Sequence, residues 1–122
     1  MTLRSGHFPG ATLITVIGEV DASNSIELNA YLDHERRRLD EHLIIDVSGL
    51  SFLGCSGLAA LINASVLARA HNAELHLAGI QPSVARLLTM TDTWQAVTVH
   101  DHIEQAIAAM RARGSNEPPE TA

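Results

Sequence analysis

Residues 43–58 read LIIDVSGLSFLGCSGL, and the character of the chain changes twice within them. Leu43 to Val47 is a compact apolar run carrying Asp46-Val47 at its end, the pattern of a central strand buried on both faces. Ser48 to Gly57 is rich in Ser and Gly and reads as a loop. Leu58, Leu61, Ile62 and Ser65 then recur at helical spacing and predict a helix to about His71. A buried strand, a small-residue loop and a helix in direct succession form a βα unit.

Working outward, Thr2–Phe8 and Thr12–Ile17 flank Pro9-Gly10, a pair suited to a type II turn and hence to an antiparallel hairpin. Gly18-Glu19-Val20-Asp21 leads into a helix from about Ser23 to Leu39. Leu28, Leu32, Glu35 and Leu39 share one face of that helix with Ile26 and Ala30 beside them, and Asn24 and Glu27 stand at capping-box spacing. Downstream, Leu75 and Leu77 alternate with Glu74 and His76, predicting a strand with one wet face. Pro82 opens a third helix with Val84, Leu87 and Leu88 inward. Val97 and Val99 mark a short last strand. Asp101 and Glu104 cap a fourth helix, with Ile103, Ile107 and Met110 inward and Gly114 as its stop. The predicted order is ββαβαβαβα. It describes one α/β domain over residues 1–114, with a mostly parallel sheet, an antiparallel N-terminal edge hairpin and helices mainly on one face. Residues 115–122, with Pro118-Pro119, are expected to form a disordered tail.

Composition narrows the function. The chain has 122 residues, 46% hydrophobic and 18% charged, so it can bury a core; aromatics are only 3%, so that core is aliphatic. Fourteen acidic residues against eight basic ones give a net charge of −6, which argues against nucleic acid and anionic membrane as partners. The single cysteine, Cys55, cannot close an internal disulfide, and no stretch approaches the ~18 apolar residues of a membrane span. A cytoplasmic protein is expected. Arg36-Arg37-Arg38 lies among Asp33, Glu35, Asp40 and Glu41, and Asp33–Arg37 and Arg36–Asp40 pairs at i,i+4 predict a solvated helix face. His100 and His102 share a face if the last strand continues that far, but no third ligand stands at a recognisable spacing. His76 is expected on a wet strand face, and neither metal nor cofactor is expected. Trp94 is expected to cover the end of the third helix.

Ser56 falls at or beside the start of the second helix. Its structural reading is a cap, with the hydroxyl accepting a first-turn amide. Its functional reading uses the same physics: free amides and the positive helix end favour a phosphate placed there, adding about −1.5 to −2 charges. Gly54-Cys55-Ser56-Gly57 superficially looks like a hydrolase nucleophile elbow. That elbow needs Gly at the position of Leu58, with a His and an acid behind the serine, so a hydrolase is not expected. Cys55, at a helix N-terminus, is a candidate redox residue; the plainer expectation is a small buried apolar side chain.

Gly18-Glu19-Val20-Asp21 followed by Asp46–Leu58 resembles the STAS domain family and, within it, the anti-sigma factor antagonists. Val84-Ala85-Arg86-Leu87-Leu88 and Glu104-Gln105-Ala106 extend the likeness over nearly the whole chain. The resemblance implies a non-enzymatic domain that binds an anti-sigma factor, often a serine kinase of the histidine-kinase-like ATPase fold, and frees a sigma factor. It implies phosphorylation at Ser56, which breaks the complex, and an acidic binding residue at Asp21. The docking face is expected to join Asp21 to Ser51, Gly54, Cys55, Ser56 and Gly57, with Gly57 allowing close approach and Leu58 anchoring the helix. Gly54-Cys55 stands where family members commonly carry Asp-Ser or Asp-Thr. The chain is expected to be a monomer or a weak homodimer. The competing expectation is a STAS signal-sensing or ligand-binding module within a larger signalling or transport assembly; the chain has no Walker-type phosphate loop.

Overall fold

The computed structural model describes residues 1–115. The hairpin forms as expected: β1 (Thr2–Phe8) runs antiparallel to β2 (Ala11–Val20), and Phe8 faces Ala11 across the turn. Gly10 takes φ +82°, the value the third position of a type II turn requires. β3 (His42–Asp46) lies parallel to β2, β5 (Leu75–Ala78) parallel to β3, and β6 (Thr98–His100) parallel to β5. The sheet order is β1-β2-β3-β5-β6.

One strand went unread in the sequence. Leu50–Leu53 is not loop but β4, parallel to the far end of β2, where Gly18 faces Leu50 and Val20 faces Leu53. Its burial runs buried, exposed, exposed, buried, without the alternation that betrays a strand. It pairs across a register shift at Gly18/Glu19, where Gly18 sits at φ +107°. A bulge of this kind bends the host strand and re-aims the residues after it.

Three helices share one face. α1 (Ser25–Glu35), α2 (Cys55–Ala70) and α3 (Pro82–Met90) bring Leu28, Leu32, Leu58, Leu61, Val84 and Leu88 onto Ile14, Leu43, Ile45, Leu75 and Leu77. α4 (Ile103–Ser115) covers the other face, seating Ala106 and Met110 on Ala11, Ile44 and Ala78. α4 continues through Gly114 to Ser115, so the expected stop at Gly114 does not operate. The expected tail beyond Ser115 lies outside the described residues. Because α4 lies on that face, His76 is buried rather than wet, with Nδ1 3.0 Å from Nε2 of His100. β6 ends at His100, so His100 and His102 do not share a strand face.

α1 is shorter than its periodicity predicts. It ends at Glu35, Leu39 is 50% exposed, and Ile26 and Ala30 face outward. The buried Glu41 carboxylate accepts the Arg37 amide, the Arg37 Nε–H and the Thr12 hydroxyl, so the chain folds around it instead of continuing as helix. The arginine run is correspondingly not a solvated helix face. Arg37 pairs with Glu41, Arg38 pairs with Asp40, and Arg36 is buried. Trp94 does reach the end of α3, its indole N–H donating to the Thr89 hydroxyl.

Candidate functional site

At the C-terminal end of β2 the chain turns at Asp21. The Asp21 carbonyl accepts the amides of Asn24 and Ser25, opening α1. Asn24, the residue before the helix, does not cap it with its side chain. Its Oδ1 accepts the Asp21 amide at 2.9 Å, and its Nδ2 donates to the Glu19 carbonyl at 3.0 Å. The Asp21 carboxylate is exposed and accepts both the hydroxyl and the amide of Ser23. The Ser23 hydroxyl first, then its amide, hold Asp21 below the ordinary aspartate value. A charged carboxylate held by two hydrogen bonds therefore stands at this corner.

β4 delivers the second corner. The Gly54 amide donates to the Val20 carbonyl at 2.8 Å, ending the β2–β4 ladder, and α2 starts at the next residue. A side-chain carbon on Gly54 would lie 3.7 Å from the Asp21 Cα, so the two corners abut. Ser51 braces this loop: its hydroxyl donates to the Gly18 carbonyl and its own carbonyl accepts from Ser83.

Ser56 is exposed in the first turn of α2, two residues past Gly54. Gly54 occupies the cap position and no side-chain hydrogen bond caps the helix, so Ser56 is not the cap that its spacing suggested. Its hydroxyl is left for other work. Cys55 is exposed, contrary to the buried side chain expected of it. Its place in the first turn points it away from the core that Gly57 and Leu58 enter.

Gly57, expected on the docking face, points into the core. It is buried, and a Cβ there would meet Val20 Cγ1 at 2.6 Å and Leu53 Cδ1 at 2.7 Å. Its missing side chain seats α2 against β2 and β4. Leu58 is buried as expected.

Ser56 also lines a shallow groove of about 190 Å³ between α1 and α2, with Ser25, Ile26, Asn29, Ala59 and Asn63. Ile26, read from the sequence as flanking the core face of α1, is 82% exposed at its rim. The signal that could have found it is its offset from the Leu28–Leu32 stripe. No His, Asp or Glu lines this groove, so Ser56 has no side-chain base beside it there. Among the described residues no helix is long and apolar enough to cross a membrane, and no group of three or more His, Cys, Asp or Glu could hold a metal.

The comparisons with known proteins agree with this architecture. The chain is 25% identical over 111 residues to the anti-sigma F factor antagonist of Paenibacillus polymyxa, covering 90% of this chain and 95% of that one. Its fold superposes on an anti-sigma factor antagonist from Mycobacterium paratuberculosis with a TM-score of 0.80 at 21% identity, covering 90% and 93% of the two chains. It superposes on the anti-sigma factor antagonist SpoIIAA in its unphosphorylated form with a TM-score of 0.66 at 18% identity, covering 93% and 99%. The model of the STAS domain matches residues 4–106. With its sheet, its helices and that match in agreement, the chain belongs to the STAS domain family.

Proposed function

We propose that this protein is an anti-sigma factor antagonist, which binds an anti-sigma factor at the Asp21–Ser56 corner and thereby frees a sigma factor in the cytoplasm. Its partner is a serine kinase of the histidine-kinase-like ATPase fold, and phosphorylation of Ser56 ends the complex. The observation that carries this reading is the exposed Ser56 in the first turn of α2, held against the Asp21 corner by the Gly54–Val20 bond. A phosphate on Ser56 enters the positive end of α2 and leaves the helix intact, while it places about two negative charges on a face already carrying Asp21. The switch therefore works by repulsion and bulk at the surface, without unfolding.

Asp21 contributes a fixed negative charge, Ser51 and Gly54 set the shape of the loop, and Cys55, Ser56 and Ile26 supply exposed side chains. An interface of ordinary size buries roughly 800 Å² on each partner, a share of surface that a domain of this size can commit. The test is recovery of the partner from the native cell followed by incubation with ATP. The reading expects an ATPase-fold anti-sigma factor and one added phosphate, absent in Ser56→Ala. Recovery of only other assemblies, or an unmodified chain beside a demonstrably active kinase, overturns it.

A further inference from the structure

Arg36 stands directly after α1 and is 7% exposed. Its Nη2 reaches the Ala64 carbonyl of α2 at 3.5 Å, the outer limit of a hydrogen bond. Nε and Nη1 are sealed from solvent, and no acceptor for either is found among the described residues. Burial lowers the guanidinium from its ordinary value, and the charges of Asp33 and Glu41 oppose that fall. Glu41 is already committed to Thr12 and Arg37. A buried cation with unspent donors carries a large desolvation penalty, and native proteins seldom leave such groups without an acceptor.

The neighbouring arginines are exposed and already paired with carboxylates. Arg37 pairs with Glu41 at 2.8 Å and donates to the Phe8 carbonyl, and Arg38 holds Asp40 with two nitrogens. Beside them opens a pocket of about 300 Å³ lined by Asp33, Arg36, Arg37, Arg38, Leu39 and Leu67. Arg36 is thus the buried cation in this wall, with two nitrogens that lack an acceptor among the described residues. A turn of its guanidinium toward the pocket gives up one hydrogen bond, the long one to Ala64.

We propose that this pocket is a binding site for a small monocarboxylate with a short apolar body, its two oxygens taking the fork of Arg36 and its body lying on Leu39 and Leu67. Arginine presents paired donors that match a carboxylate in its own plane. Asp33 on the same wall opposes a second negative charge, which favours a monoanion over phosphate. The site is separate from the Asp21–Ser56 corner: Asp21 opens α1 and Arg36 follows its last residue. Binding there does not depend on which partner docks at that corner.

The test titrates the full chain with hexanoate, and separately with inorganic phosphate at matched ionic strength, following backbone amide shifts by NMR. Saturable shifts confined to the end of α1, the 36–41 loop and α2 around Leu67 are expected with hexanoate. Phosphate should bind at least roughly tenfold more weakly, and Arg36→Lys, which keeps the charge and loses the fork, should weaken hexanoate by a similar factor. Arg36→Met should abolish the shifts and, with no ligand present, melt at or above the wild-type temperature, because it removes a buried charge that has no acceptor. Absence of saturable shifts in wild type, equal shifts in Arg36→Met, or phosphate binding as tightly as hexanoate each overturns the proposal. So does a ligand-free Arg36→Met that melts well below wild type, since its donors then already have acceptors.

Discussion

The Gly54 amide donates to the Val20 carbonyl at 2.8 Å, and that bond joins two corners of the chain that lie more than thirty residues apart in sequence. On one side of it the chain turns through Asp21 into α1; on the other it enters α2 with Ser56 in the first turn. Strand β4 exists to make this junction. Without it, the Ser/Gly-rich segment would leave the two helix starts free to part.

Charge at position 56 should therefore act on docking and not on folding. Ser56→Asp should lower affinity for the anti-sigma factor by roughly tenfold or more, about 1.4 kcal/mol, while Ser56→Ala keeps wild-type affinity. Isothermal titration with the purified partner measures both. An unchanged Asp variant that still folds would speak against the switch.

Ile26 offers a separate reading of the same face. At 82% exposure it contributes little to stability, so Ile26→Ser should change the unfolding free energy by no more than about 0.5 kcal/mol. Partner affinity should fall by more than about 1 kcal/mol if Ile26 anchors the interface. Urea denaturation and titration on one preparation separate the two effects.

Gly57→Ala should do the opposite. Its new methyl group would meet Val20 and Leu53 below 3 Å, so something must shift, at a cost of about 1–3 kcal/mol in stability. The urea midpoint should fall with little change in slope. A variant as stable as wild type would show that α2 can slide outward freely.

The Asp21 carboxylate should titrate below an ordinary aspartate, because the Ser23 hydroxyl and amide both donate to its charged form. A folded-state pKa depressed below the unfolded one adds stability that is present above the unfolded value. That stability is lost as pH falls through the folded value. Ser23→Ala removes the larger of the two donors and should move the Asp21 titration upward, which a carboxyl-detected NMR titration would record.

Cys55 is exposed, so a thiol reagent should label the folded chain without denaturant, and Cys55→Ser should leave stability within about 0.5 kcal/mol. If the thiol also controls docking, peroxide should weaken partner binding in wild type and not in Cys55→Ser. Equal affinity before and after peroxide would confine Cys55 to the surface it occupies.

Local patterning alone made most of the scaffold legible. Pro9-Gly10 specified its turn, the Leu43–Val47 run specified a central strand, and the Leu28–Leu32 and Val84–Leu88 spacings specified inward helix faces, because each signal acts within a few residues. The features that stayed hidden depended on partners distant in the chain. β4 is a strand only because the bulged end of β2 accepts it, and His76 is buried only because α4 covers that face. α1 stops at Glu35 because the Glu41 carboxylate captures the Arg37 amide, which also leaves Arg36 inside and Leu39 out. The residue types of the candidate site, Asp21 and Ser56 above all, stood in the sequence. The abutment of the Gly54 and Asp21 corners, the exposure of Cys55 and Ile26, and the inward turn of Gly57 were decided by tertiary packing, since periodicity says which residues share a face and not which element will cover it.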